Sequence, residues 1–147
     1  MSAPEVSILL VEDDDVDALA VTRGLTAAKI SNPVVRVRDG LEALEILLGT
    51  EGKEKLRPPY VLLVDIRLPR LDGLSLVRKI RANKELQRSV IFILTTSDSD
   101  RDLTAAYDAH VAGYIIKSSI GDQFSRVAKM IEYYLSIISL PLSSACA

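Results

Sequence analysis

Four short apolar runs in this chain each end in residues that could do chemistry. Ser7–Val11 (SILLV) closes on Glu12 and Asp13, Tyr60–Val64 (YVLLV) on Asp65, Val90–Leu94 (VIFIL) on Thr95, and Gly113–Ile116 (GYII) on Lys117. An unbroken apolar run of this length reads as a buried strand, and open α/β sheets carry their chemistry outside the carboxyl ends of the strands. Acids gathered at such an edge repel one another, and protonation or a bound cation relieves them. Mg2+ suits the set: it takes oxygen ligands, is held by one or two carboxylates, and keeps positions for water and phosphate oxygens. Asp13 and Asp65 are expected as direct ligands and Glu12 as a direct or water-mediated one, with Mn2+ as the alternative ion. The Asp65 carboxylate, so screened, could attack a phosphoryl donor to give an aspartyl phosphate. Lys117 would then stabilise the phosphoryl oxygens, and Thr95 could donate its hydroxyl to another of them.

The elements between these tips must bring them together. Val16, Leu19, Ala20 and Ala27 recur at roughly helical spacing and predict a first helix from about residue 15 to residue 30, stopped by Asn32-Pro33. Val34, Val35 and Val37 predict the second strand. Asp39 followed by Glu42 resembles a capping box for a helix ending near Gly49, and residues 50–59, rich in Gly, charge and Pro, read as a surface loop. Leu74, Val77 and Ile80 give the third helix its apolar face, and Asp72 is expected to start it. Residues 100–110 form the fourth helix, the least apolar of the set. A fifth begins after Asp122, with Phe124, Val127, Ile131, Tyr134 and Ile138 along one stripe. Five strands alternating with five helices predict an α/β fold, a doubly wound five-stranded parallel sheet, because each parallel crossover needs a helix. The order 2-1-3-4-5 makes strands 1, 3 and 4 neighbours and brings the chemical tips to one site.

Bulk properties narrow the classes. A length of 147 residues fits one domain with a core over about residues 6–138 and a C-terminal arm over 139–147. A net charge of -2 offers no general attraction for nucleic acid or an anionic membrane. The single Cys146 excludes an internal disulfide scaffold. No signal peptide precedes Glu12, and no segment approaches the roughly 20 apolar residues of a membrane span. A soluble, cytoplasmic protein is expected.

With Glu12-Asp13 after strand 1, Asp65 followed by L-P-R-L-D-G, Thr95 after strand 4, Tyr114 in strand 5 and Lys117, the chain resembles a response-regulator receiver domain of two-component signalling, with its flavodoxin-like fold, over almost its whole length. The resemblance implies that a sensor histidine kinase donates phosphate to Asp65. It also implies that Thr95 turns inward to the phosphoryl group, that Tyr114 changes exposure with it, and that the backbone carbonyl of Arg67 is a further metal ligand. The long loop before Pro58-Pro59, the L-T-T-S after strand 4 and Y-D-A-H-V-A-G-Y-I-I-K are similar to the small response regulators paired with phytochromes, which implies a bacteriophytochrome as the kinase. No effector domain is expected after helix 5, so output would come from a protein contact, a change in dimerisation or service in a phosphorelay.

Two features depart from the family pattern. Lys117 is followed by Ser118, where receivers carry a proline in a cis peptide, and a cis bond to a non-proline residue costs about 2.5–4 kcal/mol. Arg67, two residues after Asp65, places a bulky cation that could shield or contact the phosphoryl group and alter its lifetime. These departures keep open a pseudo-receiver, a binding module that never takes phosphate. An aspartyl-nucleophile phosphatase of the haloacid-dehalogenase type would need a second acid two residues after Asp65, where Arg67 stands. No P-loop motif occurs.

Plainer roles are expected elsewhere. Asp14 and Asp15 are helix-start charges, Thr96 and Ser97 are mainly loop, and His110 is a helix-end residue with no second His to join it in metal binding. A second stripe on helix 5, Met130, Tyr133 and Ile137, exceeds what one buried face needs. With Leu140 and Leu142 it predicts a homodimer surface.

Overall fold

The computed structural model describes residues 5–117 and 125–140. Strand β3 (Tyr60–Val64) is buried at every position, which explains a sequence without polar alternation, and it is the middle strand of a five-stranded sheet. Around it lie β1 (Ser7–Val11), β2 (Val34–Val37), β4 (Val90–Thr95) and β5 (Gly113–Ile116) in the order β2-β1-β3-β4-β5. All four pairings are parallel.

Side chains alternate along each central strand and so feed two cores. Leu9, Val11, Leu62, Val64, Ile91 and Ile93 enter one core, beneath helices α2 (Gly40–Leu48), α3 (Gly73–Ala82) and α4 (Asp100–Asp108). Ile8, Leu10, Val61, Leu63, Phe92 and Leu94 enter the other, covered by α1 (Asp15–Ala27) and α5 (Ser125–Ile137). On this second face Tyr134 of α5 meets Phe92 edge to face, with ring centroids 5.3 Å apart.

The helix starts follow from local chemistry. Asp14, Asp39, Asp72 and Ser99 stand at the N-caps of α1 to α4, each side chain accepting from a backbone N–H of the first turn. Two helices are shorter than expected. Helix α1 stops at Ala27 because Lys29 takes a left-handed φ of 61°, and α4 stops at Asp108 because His110 does the same. Arg81 of α3 then ties the end of α4 to the rest, donating to the carbonyls of Ala109, His110, Gln87 and Ser89.

Phe124, Leu142, Cys146 and the Lys117–Ser118 peptide fall at least partly outside the described residues. Ile138 lies one residue past α5 and is exposed. Among the candidates for a dimer face, Met130 and Leu140 pack partly against this chain's own core, whereas Tyr133 and Ile137 are 69% and 77% exposed. No helix among the described residues is long and apolar enough to cross a membrane.

Candidate functional site

Sheet register sets the acids side by side. Val11 is opposite Val64, and the ladder runs one step further as Asp65 N–H donates to the Val11 carbonyl at 3.0 Å while Glu12 N–H donates to that of Val37 at 3.0 Å. Arg36 of β2 braces the same turn, its Nε donating to the Glu12 carbonyl at 2.9 Å and its Nη1 to Asp15 at 2.8 Å. Asp15 therefore belongs to a surface ion pair as well as to the helix start.

The loop after Asp65 is held by close approaches that only glycine permits. A Cβ at Gly73 would lie 2.0 Å from the Asp65 carbonyl oxygen, and one at Gly40 would lie 2.2 Å from that of Leu71. Arg70, itself at a φ of 63°, reaches back to the α2 cap and donates Nε and Nη2 to the two Asp39 oxygens at 3.0 Å each. The acidic tip is thus fixed from both neighbouring strands and two helix starts.

Lys117 crosses the site from the end of β5. Its buried Nζ donates to Glu12 Oε1 at 2.5 Å, Asp17 Oδ2 at 2.7 Å and Asp65 Oδ2 at 3.2 Å. Burial works against its charge, yet the hydrogen bonds to Asp17 and Glu12 outweigh it and hold the ammonium above its ordinary range. Glu12 is pushed up to about 7, chiefly by burial and further by the charge of Asp65, against the opposing pull of Lys117.

Glu12, Asp13 and Asp65 each offer an oxygen within 4.8 Å of the others, with Asp13 exposed and the other two buried. An exposed carboxylate beside two buried ones, none of them nitrogen or sulfur donors, fits a hard divalent cation such as Mg2+ or Mn2+. Arg67 donates its N–H to Asp65 Oδ1 at 3.3 Å. It is exposed and lines a groove towards α4 with Asp72, Arg78, Arg101 and Asp102.

Thr95 is fully buried at the tip of β4, and its Oγ1 accepts from Ser97 N–H at 3.3 Å. Tyr114 is half-buried, its hydroxyl donating to the Ser97 carbonyl at 3.0 Å, and burial raises its pKa. His110 lies away from the acids, past the end of α4, its carbonyl held by Arg81.

Two residues at this site escaped sequence reasoning. Ser97, expected as loop, is buried and donates its hydroxyl to Asp102 Oδ2 at 2.6 Å. Thr95 and Ser97 are both buried while Thr96 between them is exposed, so Ser97 keeps the face of Thr95 just past β4. Asp17 was missed because the apolar positions expected to mark the first helix, Val16 and Leu19 among them, are exposed, whereas the buried stripe is Ala18, Val21 and Leu25 with Asp17 at its head.

Comparison with known proteins gives the family. Residues 8–129 match the family model described as the response regulator receiver domain. Over 141 residues the chain is 34% identical to the response regulator Rcp1 of Synechocystis, covering 95% of this chain and 96% of Rcp1. Among solved structures it is similar to the phosphorylated cyanobacterial phytochrome response regulator RcpA, with a TM-score of 0.84 at 34% identity, covering 95% of this chain and 99% of that one. It is similar also to the Mn2+-bound form of Rcp1, with a TM-score of 0.83 at 35% identity, covering 94% and 99%.

Proposed function

Because the chain belongs to the response-regulator receiver family, we propose that it is a single-domain, stand-alone response regulator that takes a phosphoryl group from a sensor histidine kinase onto Asp65. The observation that carries this reading is the approach of Lys117 Nζ to Asp65 Oδ2, 3.2 Å, beside a cluster of three carboxylate oxygens. Attack requires a carboxylate free of a covalent partner and a fixed cation to meet the incoming charge. Asp65 supplies the first and Lys117 the second.

Glu12, Asp13 and Asp65, with the Arg67 carbonyl as the family resemblance implies, would hold Mg2+ or Mn2+. When bound, the ion neutralises charge on the transferring phosphoryl oxygens and orients them. The chain's own part is positioning: β1 and β3 fix the acids, Gly73 lets the Asp65 loop fold tightly against α3, and Lys117 meets the phosphoryl oxygens. Thr95, one strand away, turns its hydroxyl to the phosphoryl group, and Tyr114 follows through Ser97. Arg67 at the rim alters the lifetime of the acyl phosphate.

The relatives and the exposed surface support a choice of partners. Likeness to a cyanobacterial phytochrome response regulator supports a bacteriophytochrome as the kinase and a place in a phosphorelay. Tyr133 and Ile137, exposed on α5, support a homodimer through that helix. The test is to incubate the protein with acetyl phosphate and Mg2+ and weigh it intact. A phosphoryl-sized gain in mass that disappears with chelator and in Asp65→Asn supports the switch; no gain from any donor means a pseudo-receiver.

A further inference from the structure

We propose that Asp17 is a positioning residue for Lys117, anchoring the ammonium on the first turn of α1 so that one N–H stays directed at the acceptor carboxylate. The proposal rests on the reading of Asp65 as phosphoacceptor. A lysine ammonium has three N–H donors on a long flexible stem, and here all three are used, towards Glu12, Asp17 and Asp65 at 2.5, 2.7 and 3.2 Å. The longest of the three is the one a phosphoryl oxygen would replace. The other two decide where the ammonium stands when that happens.

Those two anchors are not equivalent. Glu12 also belongs to the carboxylate cluster with Asp13 and Asp65, so a cation drawn to that cluster shares Glu12 with the lysine. Asp17 lies outside the cluster and serves Lys117 whether or not the cluster is engaged. Its own position is firm. Its N–H donates to the Asp14 cap at 3.0 Å, and Val21 and Leu25 below it on the same helix face are buried in the core. Its side chain is 33% exposed, buried enough for a charge-assisted hydrogen bond to hold the lysine against solvent.

The experiment measures the initial rate at which the full chain gains phosphoryl mass from acetyl phosphate with Mg2+, for the wild type, Asp17→Ala, Asp17→Glu, Lys117→Ala and the double variant Asp17→Ala/Lys117→Ala. Asp17→Ala is expected to be slower by about tenfold, the loss of one charge-assisted hydrogen bond to the group that meets the phosphoryl charge. Asp17→Glu restores most of the rate. In the Lys117→Ala background the Asp17 change adds no further loss, since nothing is left to position. Wild-type speed in Asp17→Ala, or an equal loss with Lys117 already absent, overturns the proposal while leaving the receiver reading intact. A wild type that gains no mass overturns both.

Discussion

The Tyr114 hydroxyl donates to the Ser97 carbonyl oxygen at 3.0 Å, so the ring of β5 is pinned by the loop beyond Thr95 and not by Thr95 itself. Ser97 also donates its N–H to Thr95 Oγ1 and its hydroxyl to Asp102 of α4. The threonine, the tyrosine and the first turn of α4 are links in one hydrogen-bonded chain. A rotation of Thr95 towards Asp65 gives up the first link and loosens the rest.

This linkage predicts non-additive losses. Tyr114→Phe removes one hydrogen bond and Ser97→Ala another, each costing about 1 kcal/mol in urea unfolding. Because both act on the same loop, the double variant should lose less than the sum by about 0.5 kcal/mol or more. Strict additivity would show that the two contacts are independent.

Asp39 sets a pH dependence whose sign is fixed. Burial opposes its charge, but the N–H of Glu42 and the Arg70 guanidinium outweigh that and hold its pKa below the ordinary 3.8. A carboxyl depressed in the folded state contributes stability that is complete above its unfolded pKa and is lost as pH falls through the folded one. Asp39→Asn keeps a capping oxygen but loses the charge, whereas Asp39→Ala loses both and should cost about 1–2 kcal/mol at neutral pH. The gap between wild type and Asp39→Asn should close as pH falls below 3.8; a gap that persists at lower pH would contradict this.

Metal removal gives a third expectation. A cation that binds the folded protein raises its melting temperature in proportion to the logarithm of its concentration. Mg2+ or Mn2+ should therefore stabilise the wild type, and chelator should reverse the effect. Asp13→Ala should fold normally, since Asp13 is exposed, yet show little of the metal-dependent shift. Equal shifts in both proteins would place the ion elsewhere.

The exposed face of α5 can be tested by charge. Ile137→Asp puts a carboxylate on a residue that is 77% exposed, so the monomer should fold unchanged while sedimentation velocity shows loss of a dimer present in the wild type. A wild type that sediments as a monomer at all concentrations contradicts the homodimer.

The parts of the site carried by strand ends were legible, because period and burial dictate them. The apolar run before Asp65 needed two covered faces, which made it an interior strand with its acid at the rim, and a common doubly wound order placed it between strands 1 and 4. Side chains that arrive from helices and loops were harder to read. Asp17 reaches Lys117 across 100 residues of sequence, and only the packing of α1 on the sheet brings them together. Ser97 looked like a turn residue because its composition is polar, and only its place two residues after Thr95, on the same face, points to burial. The contact of Gly73 with the Asp65 carbonyl depends on how α3 folds back, which no local pattern states.

Chemical trapping reads directly which carboxylate bears the phosphoryl group. Borohydride reduces an acyl phosphate to the alcohol, so treating the acetyl-phosphate-labelled protein and mapping its peptides marks the acceptor by a changed side-chain mass. The mark is expected at position 65 alone, dependent on Mg2+ and absent from Asp65→Asn. A mark at Glu12 or Asp13, or a labelled protein with position 65 unchanged, would contradict Asp65 as the acceptor.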